Sequence, residues 1–119
     1  MTHKTNSVGN EITCVMYGIQ DVLLNDIGLL EKTLRECAEV EKFNVLKNSS
    51  HIFSPYGYTA LLLITESHIA IHTYPEYSSL VFNIYSCRGP EDGYKSLEYF
   101  KNIFKPTRVE MRDNRVVIE

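Results

Sequence analysis

Cysteine is scarce in this chain: Cys14, Cys37 and Cys87 are odd in number and no two form a CxxC pair, so neither a disulfide framework nor a zinc knuckle is indicated. Long apolar runs are missing as well. The longest purely aliphatic stretch, Ala60 to Ile64, is five residues, against the roughly twenty needed to cross a bilayer. The polar start from Met1 to Asn10 has no signal-peptide core, so a cytosolic protein without a membrane partner is expected. Basic residues are in deficit: twelve Lys and Arg stand against fifteen Asp and Glu, intermingled, for a net charge of -3. No basic face invites nucleic acid, and a small-molecule or protein partner fits better. Repeats, linkers and low-complexity segments are absent too.

What remains is ordinary globular material. With 44% hydrophobic and 23% charged residues, 119 residues suit one core and a single domain over 1 to 119. Residues 1 to 8 are polar and expected to be mobile, and a first strand runs from Ile12 to Tyr17. A helix follows, with Asn25 as N-cap and Ile27, Leu30, Leu34, Cys37 and Val40 as its apolar stripe, which makes Cys37 core. Phe43 to Phe53 reads as extended, Pro55-Tyr56-Gly57 as a turn and Thr59 to Thr65 as an apolar strand. Leu80 to Tyr85 is a further strand. Pro90 opens a second helix whose stripe is Tyr94, Leu97, Phe100 and Phe104, and Thr107 to Ile118 closes the chain as strand, interrupted by a turn at Asp113-Asn114.

Short links between the middle strands imply an antiparallel sheet, and both amphipathic helices need its apolar face. The expected fold class is α+β: a two-layer sandwich of an antiparallel β-sheet with two helices packed on one face. Two helices cover only one face, which leaves part of the other for a second subunit.

Between the middle strands lies the run Glu66-Ser67-His68-Ile69-Ala70-Ile71-His72-Thr73-Tyr74-Pro75-Glu76, with one hydroxyl nucleophile, two imidazoles and two carboxylates. Its alternation reads as a strand that Pro75 ends. Four residues apart on a strand, His68 and His72 share a face but stand about 13 Å apart, too far to chelate one metal. No metal site is expected. Ser67 and His68 point to opposite faces and no GxSxG elbow surrounds the serine, which argues against a Ser-His hydrolase. Taken on composition, the run is a half-buried strand with surface histidines, Cys87 is structural, Phe53 is core beside a turn and Glu76 is a solvated loop residue.

The motif ESHIAIHTYPE resembles the ESH...HTxPE signature of prokaryotic S-adenosylmethionine decarboxylases, pyruvoyl enzymes that are made as self-processing proenzymes. Upstream, Phe53-Ser54-Pro55-Tyr56-Gly57-Tyr58-Thr59 is similar to that family's F-x-P-x-G-x-S/T element, and downstream Tyr85-Ser86-Cys87-Arg88-Gly89 is similar to its F-T-C-G element. The likeness in element order covers residues 9 to 105. It implies cleavage between Glu66 and Ser67, with Ser67 becoming the pyruvoyl cofactor that forms a Schiff base with substrate. It further implies His72 as processing base, Thr59 as processing hydroxyl and Cys87 as an exposed proton donor before Arg88. Phe53 would stack on adenine, Glu76 would hold the ribose, and His68 would orient the site or lie exposed. Since Ser67 and His72 have opposite parity, the chain has to bend at Ser67 for these roles to meet.

The implied function is decarboxylation of S-adenosylmethionine, supplying an aminopropyl donor for spermidine, by a homodimer of processed two-chain protomers. Asn83, where relatives commonly carry aspartate, Tyr74 for a frequent tryptophan, Tyr58 for a frequent valine, and Asn10-Glu11 depart from the pattern. They leave open a pyruvoyl-dependent arginine or ornithine decarboxylase, or an unprocessed regulatory paralogue.

Overall fold

The computed structural model describes residues 7 to 119. The expected lead at residues 1 to 8 therefore falls mostly outside the described residues, but Val8 already belongs to strand β1 (Val8–Tyr17). That strand is longer than expected because the final strand, β6 (Arg108–Val117), pairs with it from Val8 to Tyr17. The turn signal at Asp113-Asn114 does not act: Asp113 pairs with Ile12 and Asn114 with Glu11, so a full ladder outweighs local turn preference. The Tyr94 hydroxyl also donates to the Asp113 carboxylate.

A four-residue helix α1 (Asp21–Leu24), not foreseen, precedes helix α2 (Ile27–Val40). The N-cap of α2 is Asp26 rather than Asn25, its carboxylate accepting from Leu29 N–H at 3.0 Å. Its buried stripe is Leu30, Thr33, Leu34, Cys37 and Ala38, and Val40 is exposed. The stripe continues to Glu41, whose carboxylate is buried because it caps the next long helix.

Four strands follow as β2 (Val45–Ile52), β3 (Tyr58–Ile64), β4 (Ser67–Tyr74) and β5 (Ser79–Ser86), with one 3-10 turn at Pro75–Tyr77. Helix α3 (Tyr94–Phe104) starts four residues later than Pro90. Its N-cap, Gly93, has φ 99°, a left-handed value that glycine adopts without strain. Because Gly93 has no side chain, capping comes from α2: Glu41 accepts from Gly93 N–H at 2.7 Å, Ser96 N–H at 2.9 Å and Ser96 Oγ at 2.7 Å. A carboxylate at a helix N-terminus is where the helix dipole favours it.

The sheet order is β2-β3-β4-β5-β1-β6, antiparallel throughout, with β2 and β6 as edges. The two long helices pack on one face over Ile12, Met16, Ile69, Ile71, Phe82 and Ile84. Phe100 stacks on Phe104 at 4.7 Å and tilts against Phe82 at 5.5 Å. Cys14 and Cys37 lie in this core, where burial above all pushes both thiols up and keeps them protonated. This is the expected two-layer α+β sandwich. Its other face carries Thr59, Leu61, His68, His72, Val81 and Asn83 with no helix over it among the described residues; Leu61 is 40% exposed and its neighbour Leu63 43%. No helix among the described residues is long and apolar enough to cross a membrane.

Candidate functional site

All but one of the expected residues fall into two clusters at opposite ends of β4. The first is the turn from β3 into β4, formed by Thr65 and Glu66 and tied to Asn44, whose amide donates to Thr65 Oγ1 at 3.1 Å. Glu66 has φ 63°, a left-handed conformation that costs a residue with a Cβ about 1 kcal/mol or more. The chain thus bends at Glu66, one residue before the expected place, and Ser67 begins a regular strand. Cys87 follows the end of β5 and its Sγ donates to the Glu66 carbonyl oxygen at 3.2 Å, with Ser67 Oγ 3.7 Å away. The thiol is buried, not exposed as expected, because the turn and the segment after β5 close over it; Cys87 is 6% and Ser67 7% exposed.

Beside Cys87 the chain is anchored by charge. Arg88 donates through Nε and Nη2 to the two Asp92 carboxylate oxygens at 2.9 and 2.8 Å, and Ser86 Oγ donates to the same carboxylate. The far edge of the guanidinium donates to the Glu41 and Lys42 carbonyls at 2.8 and 3.2 Å, with its carbon 3.9 Å above the Phe43 ring. Burial alone would raise the Asp92 carboxyl, but hydrogen bonds from Arg88 and Ser86 together with the Arg88 charge hold it below the ordinary range. Being depressed in the folded state, Asp92 contributes stability that is present above its unfolded value of about 3.9 and is lost as pH falls through the lower folded value. Urea midpoints followed from pH of about 5 down to about 2.5 should fall less steeply in Asp92→Asn than in the wild type.

The second cluster lies at the other end of the same strand. Thr59 and His72 are directly paired across β3 and β4, with Oγ1 3.1 Å from Nδ1. They open onto a cavity of about 280 Å³ also lined by Phe53, Tyr56, Gly57 and Glu76. Four of the expected residues, Phe53, Thr59, His72 and Glu76, therefore share one groove. A residue not singled out from the sequence packs beside them: His51 pairs with Thr59 across β2 and β3, and its ring meets Phe53 edge-on at 4.6 Å. The signal was available in the period-two pattern, which puts His51 and Phe53 on one face.

His68 belongs to neither cluster. Its Nε2 lies 3.0 Å from Asn83 Oδ1, while Asn83 Nδ2 donates to Glu11 Oε2 at 3.0 Å, Thr13 Oγ1 at 2.9 Å and the Ile12 carbonyl at 3.3 Å. The Ile12 carbonyl and the Glu11 carboxylate are acceptors, so they settle which end of the amide is nitrogen. His68 Nε2 must then carry a proton and donate. Within one chain, Ser67 and His72 lie on opposite faces and about 16 Å apart along the strand.

A family model described as S-adenosylmethionine decarboxylase matches residues 10–115. The S-adenosylmethionine decarboxylase proenzyme of Thermosipho melanesiensis is 33% identical over 103 residues, covering 87% of this chain and 79% of its own. Proenzyme 2 of Bacillus cereus is 35% identical over 107 residues, 90% of this chain and 87% of its own. The chain belongs to the S-adenosylmethionine decarboxylase family. Its fold is that of other members: the crystal structure of the Aquifex aeolicus adenosylmethionine decarboxylase superposes with a TM-score of 0.88 at 22% identity, covering 96% of this chain and 94% of that one. The Trypanosoma brucei AdoMetDC-delta26 monomer matches at a TM-score of 0.63 and 16% identity over 86% of this chain but only 44% of its own. The cluster at Glu66, Ser67 and Cys87 thus joins the start of the ESHIAIHTYPE run to the Tyr85–Gly89 segment, while the cluster at Thr59 and His72 joins the Phe53–Thr59 segment to the end of that run.

Proposed function

We propose that this chain cuts itself between Glu66 and Ser67, and that the resulting pyruvoyl protein decarboxylates S-adenosylmethionine to give an aminopropyl donor for spermidine. The observation that carries this reading is the contact of three groups at one turn: the buried Ser67 hydroxyl, the Glu66 carbonyl and the buried Cys87 thiol. Ser67 Oγ attacks the Glu66 carbonyl carbon, the amide nitrogen leaves and an ester forms. The Cys87 S–H polarises that carbonyl and steadies the developing oxyanion, and the left-handed Glu66 forms the turn that leads the chain into Ser67. A base then takes the Ser67 Cα proton, the Glu66 carboxylate departs, and hydrolysis of the dehydroalanine releases ammonia and leaves the pyruvoyl group. This turn suits that group, since a thiol stands beside the atoms from which it forms. When present, the pyruvoyl ketone supplies an electron sink for loss of carbon dioxide, and Cys87 is placed to give the substrate α-carbon its proton.

The processing base is His72, oriented by Thr59, but it comes from a second copy. Two features support a homodimer: the processing residues sit at opposite ends of β4, and the sheet face lacking helices exposes Leu61 and Leu63. When two such faces stack about a two-fold axis, the Ser67 end of one subunit meets the partner subunit's His72 and the partner subunit's Thr59, twice per dimer. Mass spectrometry of the purified protein tests maturation. Two fragments, residues 1 to 66 and 67 to 119 with a blocked N-terminus, are expected, and Ser67→Ala should remain whole. A wild-type chain that stays intact on prolonged incubation would overturn the reading.

The cavity carrying Phe53 and Glu76 takes the nucleoside. Phe53 is 49% exposed at its mouth, with ring surface left to stack on adenine beside the His51 contact, and Glu76 offers a carboxylate to the ribose hydroxyls. Phe53→Ala and Glu76→Gln should each raise KM for S-adenosylmethionine by roughly 5- to 150-fold, the equivalent of about 1 to 3 kcal/mol, and spare processing. Arginine and ornithine, run in parallel, have no adenine to stack. Activity on either of them with none on S-adenosylmethionine would overturn the substrate while leaving the maturation chemistry standing.

A further inference from the structure

Arg88 and Asp92 have no part in the chemistry just described, yet they hold the residues on both sides of Cys87. One carboxylate takes hydrogen bonds from Ser86 Oγ and from Arg88 Nε and Nη2, so residues 86 to 88 form a loop bracketed by Asp92 with Cys87 at its apex. The guanidinium then reaches the Glu41 and Lys42 carbonyls just past the C-terminus of α2, where a cation is favoured. Glu41 in turn caps α3 through Gly93 and Ser96, and Asn10 Nδ2 donates to the carbonyls of Pro90 and Asp92. The segment carrying the thiol is thereby fixed to two helices and to β1. A planar fork is needed for this: lysine has the charge but cannot bridge both carboxylate oxygens and two carbonyls at once.

We propose that Arg88 and Asp92 form a clamp that holds the Cys87 thiol against the Glu66–Ser67 junction, making Arg88 a positioning residue for the chemistry proposed above, on which its catalytic part rests. The geometry is demanding because a thiol that is to polarise one carbonyl, and later protonate one carbon, has little freedom: a displacement of about 1 Å costs on the order of 100-fold in rate. Burial of the thiol requires the same restraint, since it is the loop around Cys87 that shuts out solvent.

The test uses alkylation first, because it does not depend on what Cys87 does in turnover. In the uncleaved Ser67→Ala background, iodoacetamide labelling of Cys87 followed by mass spectrometry should be about 10-fold faster in Arg88→Ala and nearly as fast in Arg88→Lys, as local opening becomes easier. Cys14 and Cys37, at 1% and 0% exposure, should stay unlabelled and so report an intact fold. In the active background, folded Arg88→Ala and Arg88→Lys should mature but lose about 10-fold in kcat with KM little changed, and show more inactivating turnovers per product. Wild-type labelling in both variants overturns the clamp, and a lysine variant identical to wild type shows that charge, not the fork, is what counts and overturns it equally. Faster labelling with wild-type kcat, while Cys87→Ala is impaired, overturns the positioning role. If Cys87→Ala itself turns over normally, the role given to Cys87 fails, and labelling alone decides whether the clamp exists.

Discussion

His72→Ala and Ser67→Ala chains, each unable to mature alone, are expected to restore cleavage when co-expressed. His72→Ala by itself should stall, because the Ser67 Cα proton has no base, and the ester that accumulates should be cut by hydroxylamine. In a mixed dimer, one composite site combines Ser67 of the His72→Ala chain with the partner subunit's His72 and is fully native; the other site lacks both groups. With random pairing of equal amounts, about half of the His72→Ala chains should be cleaved and none of the Ser67→Ala chains. The physical ground is distance: β4 is regular from Ser67 to Tyr74, so Ser67 and His72 stay about 16 Å apart in any one subunit. Efficient cleavage of His72→Ala alone would remove His72 as the base, and no cleavage in the mixture would place the missing base within the same chain.

Cys87→Ala should separate maturation from turnover. Self-cleavage continues at a reduced rate, since the Glu66 carbonyl loses one donor worth about 1 kcal/mol but keeps the Ser67 nucleophile and the base. Turnover should fall by about 100-fold or more, the usual contribution of a placed general acid. Inactivation should accompany the remaining turnover, because without Cys87 the substrate α-carbon would lack its placed proton donor and protonation would no longer be directed to that carbon. The checks are stopped-flow or radiometric carbon dioxide release alongside intact mass of the residue 67 to 119 fragment. Unchanged turnover would take the thiol out of the mechanism.

The amino-acid sequence by itself determined the two-layer architecture and the element order apart from the short helix α1. The 3.6-residue stripes around Leu30 and Phe100 and the alternation through Ile69 and Ile71 are local patterns, and each needs the same apolar face buried. It also put the chemical residue types into three short motifs, because residues a few positions apart on one strand stay together in any fold. What failed were boundaries whose signals are overruled from a distance: the Asp113-Asn114 turn yields to the β1 ladder, and Pro90 does not start α3 because the cap for that helix is Glu41, 52 positions before Gly93. Only the tertiary structure decided that Cys87 is buried on the Glu66 carbonyl, that Arg88 and Asp92 bracket it, and that the His51 ring packs edge-on against Phe53. These are contacts between residues far apart in sequence, set by sheet register and helix docking. Tertiary structure likewise separated Ser67 from His72: parity along a strand is legible in the sequence, but whether the chain bends to cancel it depends on where the turn falls, and it falls at Glu66.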